Sequence, residues 1–135
     1  MLGLTLTACL HASMVATAAA GSSYSDAYRE ASQTGKPLVI LVGADWCPGC
    51  QTMKTSVIPA LRKSGDLSNV SFATVNTDQE RELAGKLMQG GSIPQLIVYK
   101  KTDSGWQREQ VTGARSVTET RGLLRRIAQR LTGRN

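Results

Sequence analysis

The segment PLVILVGADWCPGC, from Pro37 to Cys50, restricts the fold more than any other part of the chain. Its leading half is unbroken apolar sequence rich in β-branched residues, which suits a strand buried on both faces rather than one with a solvated side. Two cysteines, Cys47 and Cys50, follow at once. Behind them QTMKTSVIPALRKSG (Gln51 to Gly65) reads as a helix that Pro59 must interrupt or restart, because proline lacks the N–H and clashes with the carbonyl four residues back.

The other segments supply what such a strand needs. SYSDAYREASQTGKP (Ser23 to Pro37) is helical, with Ser23 or Ser25 to cap it, an early acid, and Thr34-Gly35 to end it. NVSFATVN, ending at Asn76, reads as a second buried strand. DQERELAGKLMQGG (Asp78 to Gly91) reads as a short helix with acids in its first turn and glycines at its exit. SIPQLIVYKK is a strand introduced by Pro94, Asp103-Ser104-Gly105 is a turn, and WQREQVTG returns antiparallel. The last helix covers Val117 to Leu131, with Leu124, Ile127, Ala128 and Leu131 on one face and Arg121, Arg125 and Arg126 on the other. The order α, β, α, β, α, β, β, α predicts an α/β fold, a central mixed sheet flanked by helices on both faces. Met53 and Met88 are expected in its core.

With 135 residues the chain is the size of one domain of about 100–150 residues. A core of that size stands without metals or staples. The net charge of +6 is uneven: residues 1–99 are neutral and the whole excess falls from Lys100 onward. A basic patch of this kind meets nucleic acid, an anionic membrane surface or an acidic partner, or is simply a solvated helix face. No nucleic-acid motif accompanies it, and one Phe, two Trp and three Tyr leave little for stacking on bases. A membrane surface remains open, with the domain resting near anionic headgroups.

MLGLTLTACLHASMVATAAAGSS carries no charge, is rich in small and apolar residues, and is too weakly apolar for a spanning helix of about 20 residues. It reads as an export signal over residues 1–22, ahead of a domain over 23–135. Ala18-Ala19-Ala20 offers a small-x-small cleavage site. Leu6-Thr7-Ala8-Cys9 resembles a bacterial lipobox, which makes Cys9 a candidate lipidation site and residues 10–23 a tether. Both readings lack a basic leader before the apolar stretch, and both place the protein in the periplasm or cell envelope; the alternative is a disordered or helical N-terminus of a cytosolic protein.

A Cys-x-x-Cys pair on the first turn of a helix has a specific consequence. The helix N-terminus presents unpaired N–H groups and roughly half a positive charge, so a thiolate there is stabilised. In such motifs its pKa falls from the free value of ~8.5 to between ~3.5 and ~7.5. Cys47 is expected on the exposed leading edge, as nucleophile, with Cys50 one turn on to resolve a mixed disulfide. Pro48 suits the first turn because its missing N–H has no partner there. Gly49 keeps the surface low where a substrate chain approaches. Zinc wants four ligands, and the chain offers this pair and one histidine, His11, inside the expected signal. Copper delivery fails for the same lack. A structural bridge across so short a span constrains an unfolded chain little. Redox chemistry is what remains, with no metal and no cofactor.

From about Ser23 to Arg130 the chain resembles the thioredoxin superfamily. ADWCPGC is similar to its active-site segment, with Trp46 before the pair. VNTDQE (Val75 to Glu80) is similar to the entry to its third helix. SIPQLIVY resembles the strand whose leading proline, here Pro94, is cis and lies against the pair. Within the superfamily, YREASQTGKPLVILVGADWCPGCQTMK resembles the small envelope thioredoxin-like domains, among them the C-terminal domain of the transmembrane reductant carrier DsbD. The resemblance implies a thioredoxin fold and a thiol–disulfide oxidoreductase that reduces or relays electrons rather than oxidising. Trp46 then shapes the rim, or else packs in the core, and Pro94 fixes Ile93 to bind the extended backbone of a substrate. Protein thiols and disulfides are the implied substrates, with a redox partner to recharge the pair and a monomeric domain. A non-catalytic binding protein using the same surface is the alternative. Two departures stand out: Leu41 and Thr74 occupy the positions of the family's buried aspartate and its lysine partner, which leaves Asp45 or water to take the Cys50 proton.

Overall fold

The computed structural model describes residues 22–131. The export or lipoprotein segment, with Cys9, His11 and the alanine cleavage site, therefore lies outside the described residues apart from Ser22.

Four strands form one sheet in the order β2-β1-β3-β4. The central strand β1 (Leu38–Gly43) pairs parallel with β2 (Ser71–Asn76) and antiparallel with β3 (Gln95–Thr102), and β4 (Gly105–Thr112) folds back on β3. Ser22 adds a single parallel bridge to Ala73. The unbroken apolar character of β1 is explained by what covers it. Leu38, Ile40 and Val42 face a cluster with Ala27 and Ala31 of α1 (Tyr24–Thr34) and Ala84 and Leu87 of α4 (Arg81–Leu87). Val39 and Leu41 face the opposite cluster, with Met53, Val57, Ile58 and Leu61 from the helix after the cysteines and Leu123, Leu124 and Ile127 from α5 (Val117–Leu131). The expected α/β fold, a mixed sheet between helices, is the one observed.

Local chemistry sets the boundaries. Ser23 caps α1 by accepting from the Asp26 N–H, and Gly35 closes it at φ 75°, a left-handed conformation that favours glycine. The helix after the cysteines is continuous but not uniform: α2 (Pro48–Thr52) passes into a wide turn, Met53–Val57, and then α3 (Ile58–Lys63). Pro59 is the cause. It cannot donate to Thr55, and the chain responds with a π-helical turn, in which the Ile58 N–H reaches back to the Met53 carbonyl. Ser116 and Glu119 form a reciprocal cap on α5: the Glu119 N–H donates to Ser116 Oγ, and Glu119 Oε2 accepts from the Ser116 N–H.

Four expectations are corrected. β2 is fully buried only at Ser71, Ala73 and Val75; Phe72, Thr74 and Asn76 are half-buried, because β2 is an outer strand. The helix expected from Asp78 begins at Arg81, since Asn76 Oδ1 accepts from the N–H groups of Asp78 and Gln79 and holds them in a turn. It ends at Met88, in extended conformation, before the glycines. On α5 the buried stripe is Thr120, Leu123, Leu124 and Ile127; Ala128 is exposed, and Arg121 is half-buried on Asp66 at 2.8 Å instead of lying on a solvated face. Met53 is fully buried, and Met88 is half-buried against the α1 cluster.

Candidate active site

The site forms where β1 ends. Beyond Gly43 the chain turns through Ala44, Asp45 and Trp46, and Cys47 becomes the N-cap of α2. Cys47 and Cys50 are joined as a disulfide, with Cα atoms 5.2 Å apart. The Cys50 N–H donates to Cys47 Sγ at 3.2 Å. An N–H of the first helical turn is thus already aimed at the sulfur that carries charge once the bond is reduced. Pro48 occupies the first helical position, exposed, where its missing N–H leaves nothing unpaired.

Cys47 does not project as an exposed edge. It retains 6% of its surface and Cys50 retains 5%, and both pack with Ala44 and Ile93. Exposure falls instead on their neighbours. Trp46 is 71% exposed, so it belongs to the rim and not the core, and its Nε1 donates to Asp78 Oδ2 at 3.0 Å. Lys54 and Asp45 face each other at 3.6 Å on the same rim, and Gln51 Nε2 donates to the Asp45 carbonyl at 2.8 Å.

The opposite wall is the loop before β3. The Ile93–Pro94 peptide is cis. Pro94 is buried, Ile93 is half-buried, and the Ile93 carbonyl oxygen lies 3.9 Å from Cys47 Sγ. The Gly113 N–H donates to the Pro94 carbonyl at 2.8 Å, which ties the β4–α5 loop to this wall. Gly49 is small for the sake of that wall: a Cβ there would lie 3.3 Å from Ala114 Cβ and 3.4 Å from Pro94 Cδ. Its first job is therefore close packing of helix against loop.

Three contributors have weak sequence signatures. Gly43 leaves room for Cys50, since a Cβ on it would meet Cys50 Sγ at 2.8 Å and Cys50 Cβ at 2.9 Å. Gln95 is fully buried, and its Nε2 donates to the carbonyls of Gln89 (3.1 Å), Gly90 (3.3 Å) and Ser92 (2.9 Å), so one amide shapes the approach to Pro94. Its only signal is a polar residue opening an apolar strand. Met53 Sδ accepts from the Arg115 N–H at 3.3 Å and joins the cysteine helix to the start of α5. Behind Cys50, a cavity of about 30 Å³ is lined by Leu41, Thr74, Asp45, Lys54 and Asn76 among others. That is room for about one water. Among the described residues no cluster of metal-binding side chains occurs.

Residues 19–101, well over half of the chain, match the thioredoxin-like family. The chain belongs to the thioredoxin-like family. Thioredoxin from Thermus thermophilus is similar in structure, with a TM-score of 0.66 at 24% identity over 78% of this chain and 84% of that one. The thioredoxin of Trichomonas vaginalis has a TM-score of 0.62 at 19% identity, over 79% and 93%. These likenesses establish the thioredoxin fold. Among curated proteins, the chloroplastic 5'-adenylylsulfate reductase 3 of Arabidopsis thaliana is 34% identical over 67 residues, 49% of this chain but 14% of that protein. Reductase 1 of the same plant is 31% identical over 70 residues, 51% of this chain and 15% of that protein. The chain thus spans only a small part of these relatives. Membership of the thioredoxin-like family, with a Cys-x-x-Cys disulfide at a helix start, supports a thiol–disulfide oxidoreductase in general.

Proposed function

We propose that the protein reduces, or relays electrons to, disulfides of other proteins in the cell envelope. The observation that carries the reading is the Cys50 N–H on Cys47 Sγ, in a helix that begins at that sulfur. In the reduced pair Cys47 is the thiolate. It attacks one sulfur of a client disulfide and forms a mixed disulfide, while the other client sulfur leaves as a thiolate and takes a proton from water. Cys50 then gives up its proton through the small cavity behind it, where water or Asp45 receives it. The Cys50 thiolate attacks Cys47 Sγ, and the second client sulfur departs. The client gains two electrons and two protons, one proton supplied by Cys50 and the other by water, and the pair ends oxidised.

Trp46 and Ile93 frame the approach: the indole forms one rim, and the Ile93 carbonyl, beside a proline that offers no N–H, accepts from an extended client backbone. The reducing direction is supported by the name reductase carried by both curated relatives. The envelope location is supported by the uncharged, small-residue start of the chain, through cleavage after Ala20 or lipid attachment at Cys9. No helix among the described residues is long and apolar enough to cross a membrane.

The test is a Cys50→Ser variant of the reduced protein mixed with disulfide-bonded client proteins. Mixed disulfides through Cys47 should accumulate and be absent when Cys47 is also replaced by serine. Absence of any trapped client, together with no reduction of insulin disulfides by the unaltered protein, would leave a binding surface without turnover.

A further inference from the structure

A second recess lies on the α5 side of the disulfide. Its floor is Leu96 of β3, Val111 of β4 and the buried Thr120 and Leu123 of α5, its rim carries Arg115, Glu119 and Arg126, and its volume is about 310 Å³. We propose that this groove receives the part of a client polypeptide that flanks its disulfide, and selects an aliphatic side chain next to an acidic one. The inference rests on the exchange reaction above and adds to it a substrate preference.

Three observations lead there. The first is continuity. Ala114 belongs to the wall of the disulfide site, packed toward Gly49 and Pro94, and its neighbour Arg115 lines the groove. The segment is fixed, because the Arg115 N–H is held by Met53 Sδ and the Gly113 N–H by the Pro94 carbonyl. A chain that brings a sulfur to Cys47 and continues over Ala114 enters the groove.

Charge is the second. The Glu119 carboxylate is already committed to the Ser116 N–H at 2.9 Å and to Ser116 Oγ at 2.7 Å, with Arg115 at 3.7 Å. The Thr120 hydroxyl donates to the Ser116 carbonyl at 2.9 Å. Arg126 has no hydrogen-bond or ion-pair partner among the described residues, and it is exposed. The surplus at this rim is therefore positive, on the segment that holds the entire excess charge of the chain. A carboxylate supplies what is missing.

Contrast is the third. The recess on the other side of α5, about 200 Å³, includes both Asp66 and Arg125 and reaches Pro37, at the end of β1 remote from the cysteines. It has neither the one-sided charge nor the path from the disulfide.

Two peptides with the same cystine core decide the matter, one with Leu-Glu on both sides of each cysteine and one with Ser-Gln. Reduction by the unaltered protein should favour Leu-Glu by about tenfold in kcat/KM at low salt, shrinking as salt rises through the screening range. Arg126→Glu should abolish the preference, Arg126→Gln should reduce it, and both should reduce the Ser-Gln peptide at the unaltered rate. Equal rates for the two peptides, or a preference that survives Arg126→Glu, would overturn the groove while leaving the exchange reaction standing. Binding to the oxidised protein is measured in parallel. Arg126-dependent binding of Leu-Glu without reduction of either peptide would support the groove and sink the exchange reaction. Arg126-dependent binding to anionic vesicles, with no discrimination between the peptides, would assign the charge to a lipid surface and overturn the proposal.

Discussion

At the carboxyl end of β1 the contacts are made by groups chosen for being small or for lacking an N–H: Gly43 under Cys50, and Gly49 against Ala114 and Pro94. At the other end, where β3, β4 and α5 converge, charge does the holding. Lys100, only 7% exposed in its side chain, contacts Glu109 Oε1 at 3.0 Å, and Arg130 reaches the same oxygen at 3.0 Å. The disulfide end must let sulfur atoms change partners without displacing the chain, so it is fitted by steric exclusion and keeps charge on its rim. The far end has nothing to exchange, and there one carboxylate pins a strand and a helix together.

If that contrast is right, the two ends fail in different ways. Loss of one charge should damage the far end most. Glu109→Gln leaves the Lys100 ammonium nearly buried without a counter-charge and should cost about 1–3 kcal/mol, read from the denaturant midpoint. Its pH dependence sharpens the point. The hydrogen bond from Lys100 first, and then the charges of Lys100 and Arg130, hold the Glu109 carboxyl below its ordinary value of 4.5. A depressed carboxyl contributes stability that is complete above 4.5 and disappears as pH falls through the lower folded value. The gap between the unaltered protein and Glu109→Gln should therefore close in acid; a gap independent of pH would mean that packing and not charge is responsible.

At the disulfide end the damaging change is one added carbon. Gly43→Ala puts a Cβ within 3 Å of Cys50 and should cost about 1–2 kcal/mol through overpacking, with the rate of mixed-disulfide resolution falling alongside. Stability lost without any change in resolution would separate Gly43 from the site. The smallest effect belongs to the rim. Asp78→Ala removes the acceptor of the Trp46 indole, and because Trp46 is so exposed the stability loss should be about 0.5 kcal/mol or less. The expected readout is a higher KM for protein clients, with small-disulfide reduction unchanged.

The same division governs what the sequence reveals. β1 and the cysteine pair are legible because burial on both faces and helix-start chemistry each leave a local mark. Pro59 announces a break, but only the structure shows that the helix absorbs it as a wide turn. The start of α4 is displaced by a side-chain carbonyl, Asn76 Oδ1, that competes for backbone N–H groups two and three residues on. Gln95 and Gly43 act on segments distant from their own elements or across a helix interface, and no periodicity encodes such a contact. The burial of Cys47 is of the same kind, since Ile93, which covers it, lies 46 residues away.

The central claim is that the start of α2 makes the Cys47 sulfur acidic. Titration of the reduced protein, followed by thiolate absorbance with Cys9→Ser and Cys50→Ser combined as the control that isolates one sulfur, tests it most directly. The account predicts ionisation well below the free-cysteine value of ~8.5. Ionisation at or above that value would contradict it.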